Sequence, residues 1–492
     1  MSFKLVIRCG NDYFEKEYDH QVKLRDAIAE SGFCFDAPCG SRGICGNCRV
    51  AAIGACSDAE EVEKAFLGDA YHIGMRLACM AYAIGDCTVD IPKRVDISAE
   101  ISRNASIKIA PISGKKQCIA AAVDLGTTTI AIRYFSLPDG ALLFSDVMPN
   151  PQRIRGADVI TRITYAENGG ANELKVLADL ALEQSCKRFG HKVDYYIIAG
   201  NTAMLLLLSG RSVSGIARAP FEPETLFGFW EGNRYYMKCV SAYIGSDAVA
   251  SLLSSQMYRS NSPSALCDIG TNNECILWNG KQLFACSSPA GPAFEGANIS
   301  CGMTATNGAI RKIDNENGKP IITAIGSSSE PIGFCGSGLI DAVAFLLANG
   351  YIGFDGSINK SLPKFGAAQL KPEDVAELQL AKSAVYSGLK TLLETASVSS
   401  DSLEALYLAG SFGQRINPEN AELIGMIPKN CAKKVMLDCS AIDGITMSLL
   451  NDNYLNESVG LADSINAIEL ADNEIFADSF IKNMYFNEFS NK

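Results

Sequence analysis

The sequence predicts a small α+β module followed by a larger α/β domain built from two like lobes. Three observations carry that expectation. Eight of the eighteen cysteines precede residue 90, among short alternating segments. A corner of the form Asp-x-Gly-Thr occurs twice, at 124–127 and 268–271, each time between apolar strands. A second corner, a strand running into Ala-Gly, closes each copy after a helical stretch.

Residues 1–95 form the first module in this reading. Phe3-Lys4-Leu5-Val6-Ile7-Arg8 alternates as a strand, Gly10-Asn11-Asp12 turns, and Tyr13 to Tyr18 returns as a hairpin arm. Leu24, Ala27 and Ile28 give a short helical stripe. Cys87-Thr88-Val89-Asp90-Ile91 closes the module ahead of Pro92. Between helix and closing strand lie Cys39, Cys45 and Cys48 in one tight loop, with Cys79 a distant fourth. That spacing is close to the one that holds a [2Fe–2S] cluster on four thiolates. Gly40, Gly43 and Gly46 let the loop fold around the sulfurs. A zinc knuckle usually shows two Cys-x-x-Cys pairs, and only Cys45 and Cys48 form one, so zinc or structural thiols are the lesser readings. Cys34 and Cys56 lie near the loop but outside its pattern and read as packing residues. The module resembles the β-grasp ferredoxin domain. Residues 96–117 are polar and weakly periodic, a linker.

Composition narrows the partners. A net charge of −12 argues against nucleic acid, whose phosphates need clustered Lys and Arg. Met1 to Cys9 alternates like a strand rather than a secretory signal, and Ala203 to Leu208, the most apolar stretch, is too short to span a bilayer. No membrane is expected, and the free-cysteine pattern fits a reducing cytoplasm. The ten cysteines beyond residue 90 read as small buried hydrophobes. His20, His72 and His191 are too few for a histidine-based metal site.

Residues 118–492 contain an internal duplication, in lobes of about 118–250 and 262–492. In the first copy the strand Cys118 to Val123 meets Asp124-Leu125-Gly126-Thr127-Thr128-Thr129, then Ile130 to Phe135. In the second, Ala265-Leu266-Cys267 meets Asp268-Ile269-Gly270-Thr271-Asn272-Asn273, then Glu274 to Trp278 and an Asn279-Gly280 hairpin turn. Helical segments, Ala171 to Phe189 and Leu378 to Ala396, precede the closing corners Ala199-Gly200-Asn201-Thr202 and Ala409-Gly410-Ser411-Phe412-Gly413.

Two Gly-rich hairpins facing one cleft make a phosphate clamp. The amides around Gly126 and Gly270 approach phosphate oxygens, while Thr127, Thr128, Thr271 and Asn272 add side-chain donors. Asp124 and Asp268, at strand ends facing one point, can hold a hydrated Mg²⁺. Asp247 either orients the attacking water or caps the helix that follows it. Gly336-Ser337-Gly338 opens a helix whose amino end faces ribose or phosphate, or is a plain cap. The Gly410-Ser411-Phe412-Gly413 turn lets an adenine lie against the backbone. A Walker loop and a strand-linked Gly-x-Gly-x-x-Gly are both missing, which excludes P-loop and Rossmann chemistry.

With these motifs in place, the chain resembles the ATP-dependent reductive activators of corrinoid proteins, in the acetate kinase, sugar kinase, Hsp70 and actin superfamily. Asn150-Pro151-Gln152, Gly156-Ala157-Asp158-Val159-Ile160, Gly200-Asn201-Thr202-Ala203-Met204 and Phe334 to Asp341 also match. The resemblance covers nearly the whole chain. It implies a ribonuclease H-like, actin-like ATPase that uses Mg²⁺-ATP to drive one electron from a [2Fe–2S] cluster to cob(II)alamin, regenerating cob(I)alamin. It further implies a corrinoid protein as partner, an external low-potential electron donor, and an assembly that extends to a homodimer. Two other readings compete. An activator of a 2-hydroxyacyl-CoA dehydratase would carry no ferredoxin domain, and a redox-gated ATP clamp would bind a partner without reducing it.

Overall fold

This computed structural model describes residues 2–10, 12–33, 43, 48–91, 117–326, 331–413 and 415–487. Cys34, Cys39, Cys45 and residues 96–116 of the expected linker lie outside the described residues. Among those described, no helix is long and apolar enough to cross a membrane.

The first sheet runs in the order Asp12–Tyr18, Phe3–Cys9, Tyr82–Ile91, Arg49–Cys56, Met75–Leu77. The expected hairpin forms, with Arg8 opposite Tyr13 and Leu5 opposite Lys16. The closing strand differs from its expectation: it is longer and central, parallel to Phe3–Cys9 and antiparallel to Arg49–Cys56. Gly85-Asp86 looks like a turn in sequence; the strand takes it up as a bulge, with Gly54 opposite Cys87 and Cys56 opposite Ala83, so that Ile84, Gly85 and Asp86 face Ala55 alone. The helix Leu24–Ser31 lays Leu24, Ala27 and Ile28 on this sheet, among Leu5, Ile7, Val50 and Val89. Its first amides bond backward, Leu24 N to Ala81 O (3.0 Å) and Arg25 N to Ala78 O (2.9 Å). The helix is thereby fixed to the segment that carries Cys79.

Two further sheets repeat one topology. In each, three antiparallel strands form a meander, and a parallel strand joins its first member. The first meander is Cys118–Leu125, Thr129–Leu137 and Ala141–Pro149, joined by Tyr195–Gly200. The second is Ser264–Ile269, Asn272–Trp278 and Leu283–Pro289, joined by Ala405–Ala409. The inner strands are covered on both faces, which is why Ala120 to Val123 and Ala265 to Cys267 are continuous apolar runs. The helix Ala171–Phe189 forms where expected. Its counterpart, Pro372–Thr395, starts earlier than Leu378 because Pro372 fits the first turn and Asp374 accepts from Lys371 N (2.8 Å). A small sheet of Ala309–Glu316, Lys319–Ala324 and Gly333–Phe334 is an addition that periodicity did not reveal.

Late chain segments return to the first lobe. The helix Ser440–Leu450 packs on its sheet, with a buried ion pair of 2.5 Å between Arg133 and Asp443. The first module rests on the same lobe. Ile154 and Leu177 join its core, and Arg155 donates to Asp26 (2.8 Å) and Glu173 (2.7 Å).

Candidate functional site

Both Asp-x-Gly-Thr corners turn at facing ends of the two repeated sheets, and the space between them is a cavity of about 210 Å³. Asp124, Gly126, Thr127 and Thr128 line it from one side, Asp268, Gly270, Thr271 and Asn272 from the other, with Asp247 and Gly410 between. A larger cavity of about 410 Å³, beside Tyr195 and Trp230, contains none of the expected residues.

Electrostatics set the smaller cavity apart. Burial, then Asp247 and Asp268, push the Asp124 carboxyl well above its ordinary range. Asp268 is pushed up to about 7 by burial and by Asp247, against a hydrogen bond from Ser251 Oγ (3.4 Å). Asp247 rises to about 6 through burial, opposed by the Ala248 amide (3.0 Å). Glu274, which the sequence reading passed over, is raised well above the usual range by burial and then by Asp247 and Asp268. Burial disfavours the charge of all four and Asp247 adds to the rise of the other three, a penalty that falls when a cation arrives. Among the described residues no three His, Cys, Asp or Glu side chains converge as direct metal ligands. The set therefore fits a hydrated Mg²⁺ reached through its own waters, the mode in which Mg²⁺ usually meets protein carboxylates.

Gly245, not Asp247, caps the helix Ser246–Ser255; Asp247 sits in the first turn, on the cavity wall. Gly410 has φ +85°, and a Cβ there would stand 2.5 Å from Asp268 Oδ1. Only glycine lets the closing corner approach that carboxylate. The expected turn is a short helix, Gly410–Gly413, with Gly413 buried; the side chains of Ser411 and Phe412 lie outside the described residues. The helix Gly336–Ala348 does form, yet Gly336, Ser337 and Gly338 do not line the cavity. Ser337 Oγ donates to Arg311 O (2.8 Å), and a Cβ on Gly338 would stand 1.9 Å from Ile310 O. Close packing on the neighbouring strand explains this Gly-Ser-Gly.

Sequence reasoning missed Glu295, which accepts hydrogen bonds from Thr128 and Thr271. Its only sequence signal is a lone carboxylate in Gly291-Pro292-Ala293-Phe294-Glu295-Gly296. Also missed was the buried Arg162, which donates to Thr127 O (2.5 Å) behind the first corner.

In the first module Cys48 and Cys79 are buried with sulfurs 3.2 Å apart. Cys56, taken as packing, lies 3.3 Å from Cys87, and that thiol's hydrogen bond, aided by Arg76, lowers Cys56 to about 7.

The chain matches two family models, the RACo middle region over residues 119–260 and the C-terminal ASKHA domain of RACo over 262–491. It is 30% identical to the corrinoid activation enzyme RamQ of Eubacterium limosum, over 79% of this chain and 74% of that one. It is 25% identical to the [Co(II) methylated amine-specific corrinoid protein] reductase of Methanosarcina barkeri, over 73% and 75%. A solved reductive activator for corrinoid,iron-sulfur protein shares the fold, with a TM-score of 0.67, 23% identity and 98% of each chain covered.

Proposed function

This chain belongs to the family of reductive activators of corrinoid proteins, and on that premise we propose that it uses ATP to deliver one electron to a partner's cob(II)alamin, giving cob(I)alamin. Residues 1–95 are the redox module and 118–492 the ATPase. Cys39, Cys45, Cys48 and Cys79 hold a [2Fe–2S] cluster, which supplies low-potential one-electron storage loaded by an external donor. Burial of Cys48 and Cys79 side by side supports that ligand set. In the cleft, Asp124 and Asp268 hold hydrated Mg²⁺. Thr127, Thr128 and Thr271, with the amides about Gly126, Gly270 and Asn272, take the phosphates. Asp247 orients water, and the Gly410–Gly413 helix borders the nucleoside.

ATP is needed for an energetic reason. A plant-type cluster sits near about −400 mV, and each ~59 mV by which the cobalt couple lies lower costs about 1.4 kcal/mol. Nucleotide that binds one state of the complex better than another can cover such a gap.

The observation that carries the proposal is the cluster of four buried carboxylates lining one cavity where two like hairpins meet. The test is anaerobic. Full-length protein, a low-potential donor and a cob(II)alamin-loaded corrinoid protein are mixed with and without ATP, and the corrinoid spectrum is followed. Extensive conversion should require ATP, and the corrinoid protein should stimulate hydrolysis. Equally complete reduction without nucleotide would reject the coupled mechanism, and ATP binding with neither cobalt reduction nor stimulated hydrolysis would leave the redox-gated clamp.

A further inference from the structure

Glu295 sits between the two phosphate corners and belongs to neither. It ends a short turn, Pro292–Glu295, that follows the last strand of the second meander. The mount is rigid. Gly291 N donates to Thr271 O (3.1 Å), and Ala293 and Phe294 are buried in the lobe's core. Gly296, at φ +81°, lies so near Met303 that a Cβ would stand 2.4 Å from its amide nitrogen. From this mount the carboxylate accepts from Thr128 Oγ1, at 3.2 and 3.3 Å to its two oxygens, and from Thr271 Oγ1. One acidic group thus ties a hydroxyl of the first corner to a hydroxyl of the second.

A carboxylate accepting both hydroxyls makes the contacts a phosphate oxygen would make. It also adds a fifth acidic side chain to a lining that already holds Asp124, Asp247, Asp268 and Glu274. An incoming triphosphate meets a competitor for its donors and a like charge. Because the backbone is held, only rotation of the Glu295 side chain can yield the place.

Resting on the ATP reading of this cleft, we propose that Glu295 is a positioning residue that stands in for phosphate. With no nucleotide bound it holds Thr128 and Thr271 together, and ATP binds by displacing it. The nucleotide-free cleft is thereby kept assembled, and nucleotide affinity is held down so that products leave.

The experiment measures ATP and ADP affinity and single-turnover hydrolysis on full-length protein carrying Glu295→Ala or the isosteric Glu295→Gln. Removing the competitor should tighten nucleotide binding about tenfold in Glu295→Ala, less in Glu295→Gln, with the hydrolysis step within about threefold of the unmodified protein. Thr128→Val completes a cycle. In the unmodified protein its loss is partly cancelled, because a Glu295 contact disappears along with the phosphate contact. In the Glu295→Ala background the phosphate contact is lost outright, so Thr128→Val should weaken ATP binding at least about threefold more there. Affinity unchanged or weakened in both Glu295 variants overturns the inference. So does a fall of about a hundredfold in hydrolysis at unchanged affinity, the signature of a base acting on water. If the unmodified protein binds no ATP, the underlying ATP reading fails, a result distinct from either.

Discussion

Replacing Asp268 with Asn should make the protein more stable at neutral pH while stopping its ATP hydrolysis. The Asp268 carboxyl is pushed from 3.8 to about 7, first by burial and then by Asp247. A group whose carboxyl rises on folding binds its proton more tightly in the native state. The stability linked to it is fully present below the unfolded value and is lost as pH climbs through about 7. Keeping this side chain ionised at pH 7.5 therefore costs at most roughly 4 kcal/mol. Asparagine removes that cost, and it also relieves Asp124 and Glu274, since Asp268 is among the causes of their rise. Thermal unfolding without Mg²⁺, from pH 5.5 to 8, checks it. The unmodified protein should lose stability across that window, and Asp268→Asn should show a shallower slope and melt several degrees higher at the alkaline end. Mg²⁺-ATP should stabilise only the unmodified protein appreciably, and hydrolysis in the variant should fall about 100-fold or more. A variant that melts lower at pH 7.5 with the same slope would refute the reasoning, because ionised Asp268 would then be a structural asset.

Two other predictions address the first module. Serine at Cys39, Cys45, Cys48 or Cys79 should each abolish the visible absorption of anaerobically purified protein, whereas Cys56→Ser should leave it; a spectrum that survives one of the four but not Cys56→Ser means the ligand set is wrong. Arg155→Ala removes the contacts to Asp26 and Glu173. Arg155 is only 10% exposed and holds two carboxylates, so the melting temperature should fall by a few degrees with the fold retained. ATP hydrolysis and cluster absorption should stay within about twofold while ATP-dependent cobalt reduction falls roughly tenfold, at the low end of what coupling mutations produce.

What the sequence disclosed, and what it hid, divides by the range of the interactions. Asp124 and Asp268 were legible because each corner is local and occurs twice in like surroundings. The helix Ala171–Phe189 forms over the segment the sequence marked as helical. Pro372 was missed because a first-turn proline and the bond from Lys371 N to Asp374, not a stripe, begin that helix. The strand Tyr82–Ile91 exceeds the expected Cys87–Ile91 because it runs on through a bulge at Ile84–Asp86, across which alternation does not carry. Gly336-Ser337-Gly338 read equally as a helix start facing ribose or phosphate and as a plain cap, because glycine also serves close packing; in the structure Gly338 makes room for the carbonyl of Ile310. Glu295 and Glu274 were invisible for a different reason. Neither has a local pattern, and each gains its neighbours only when distant strands and turns meet.

The same long-range contacts explain why one chain contains both halves. Behind the first corner, Asn150 Nδ2 donates to Gly126 O (2.9 Å) and Arg162 to Thr127 O, so the carbonyls of the phosphate loop are held from the rear. Arg162 also reaches Gln152 Oε1 (3.3 Å), and Gln152 N donates to Asn150 Oδ1 (3.0 Å). Two residues on, Ile154 enters the core of the first module and Arg155 grips Asp26. Asp26 belongs to the helix whose opening amides bond Ala78 O and Ala81 O, on either side of Cys79 and Met80. Fully satisfied hydrogen-bond networks in buried surroundings rigidify what they connect. A shift of the corner carbonyls when phosphate arrives thus meets a short, stiff segment whose other end is fixed to the backbone around Cys79. Spatial continuity alone does not establish coupling. Arg155→Ala supplies the missing measurement, since it cuts the segment at the junction while leaving the chemistry at both ends in place.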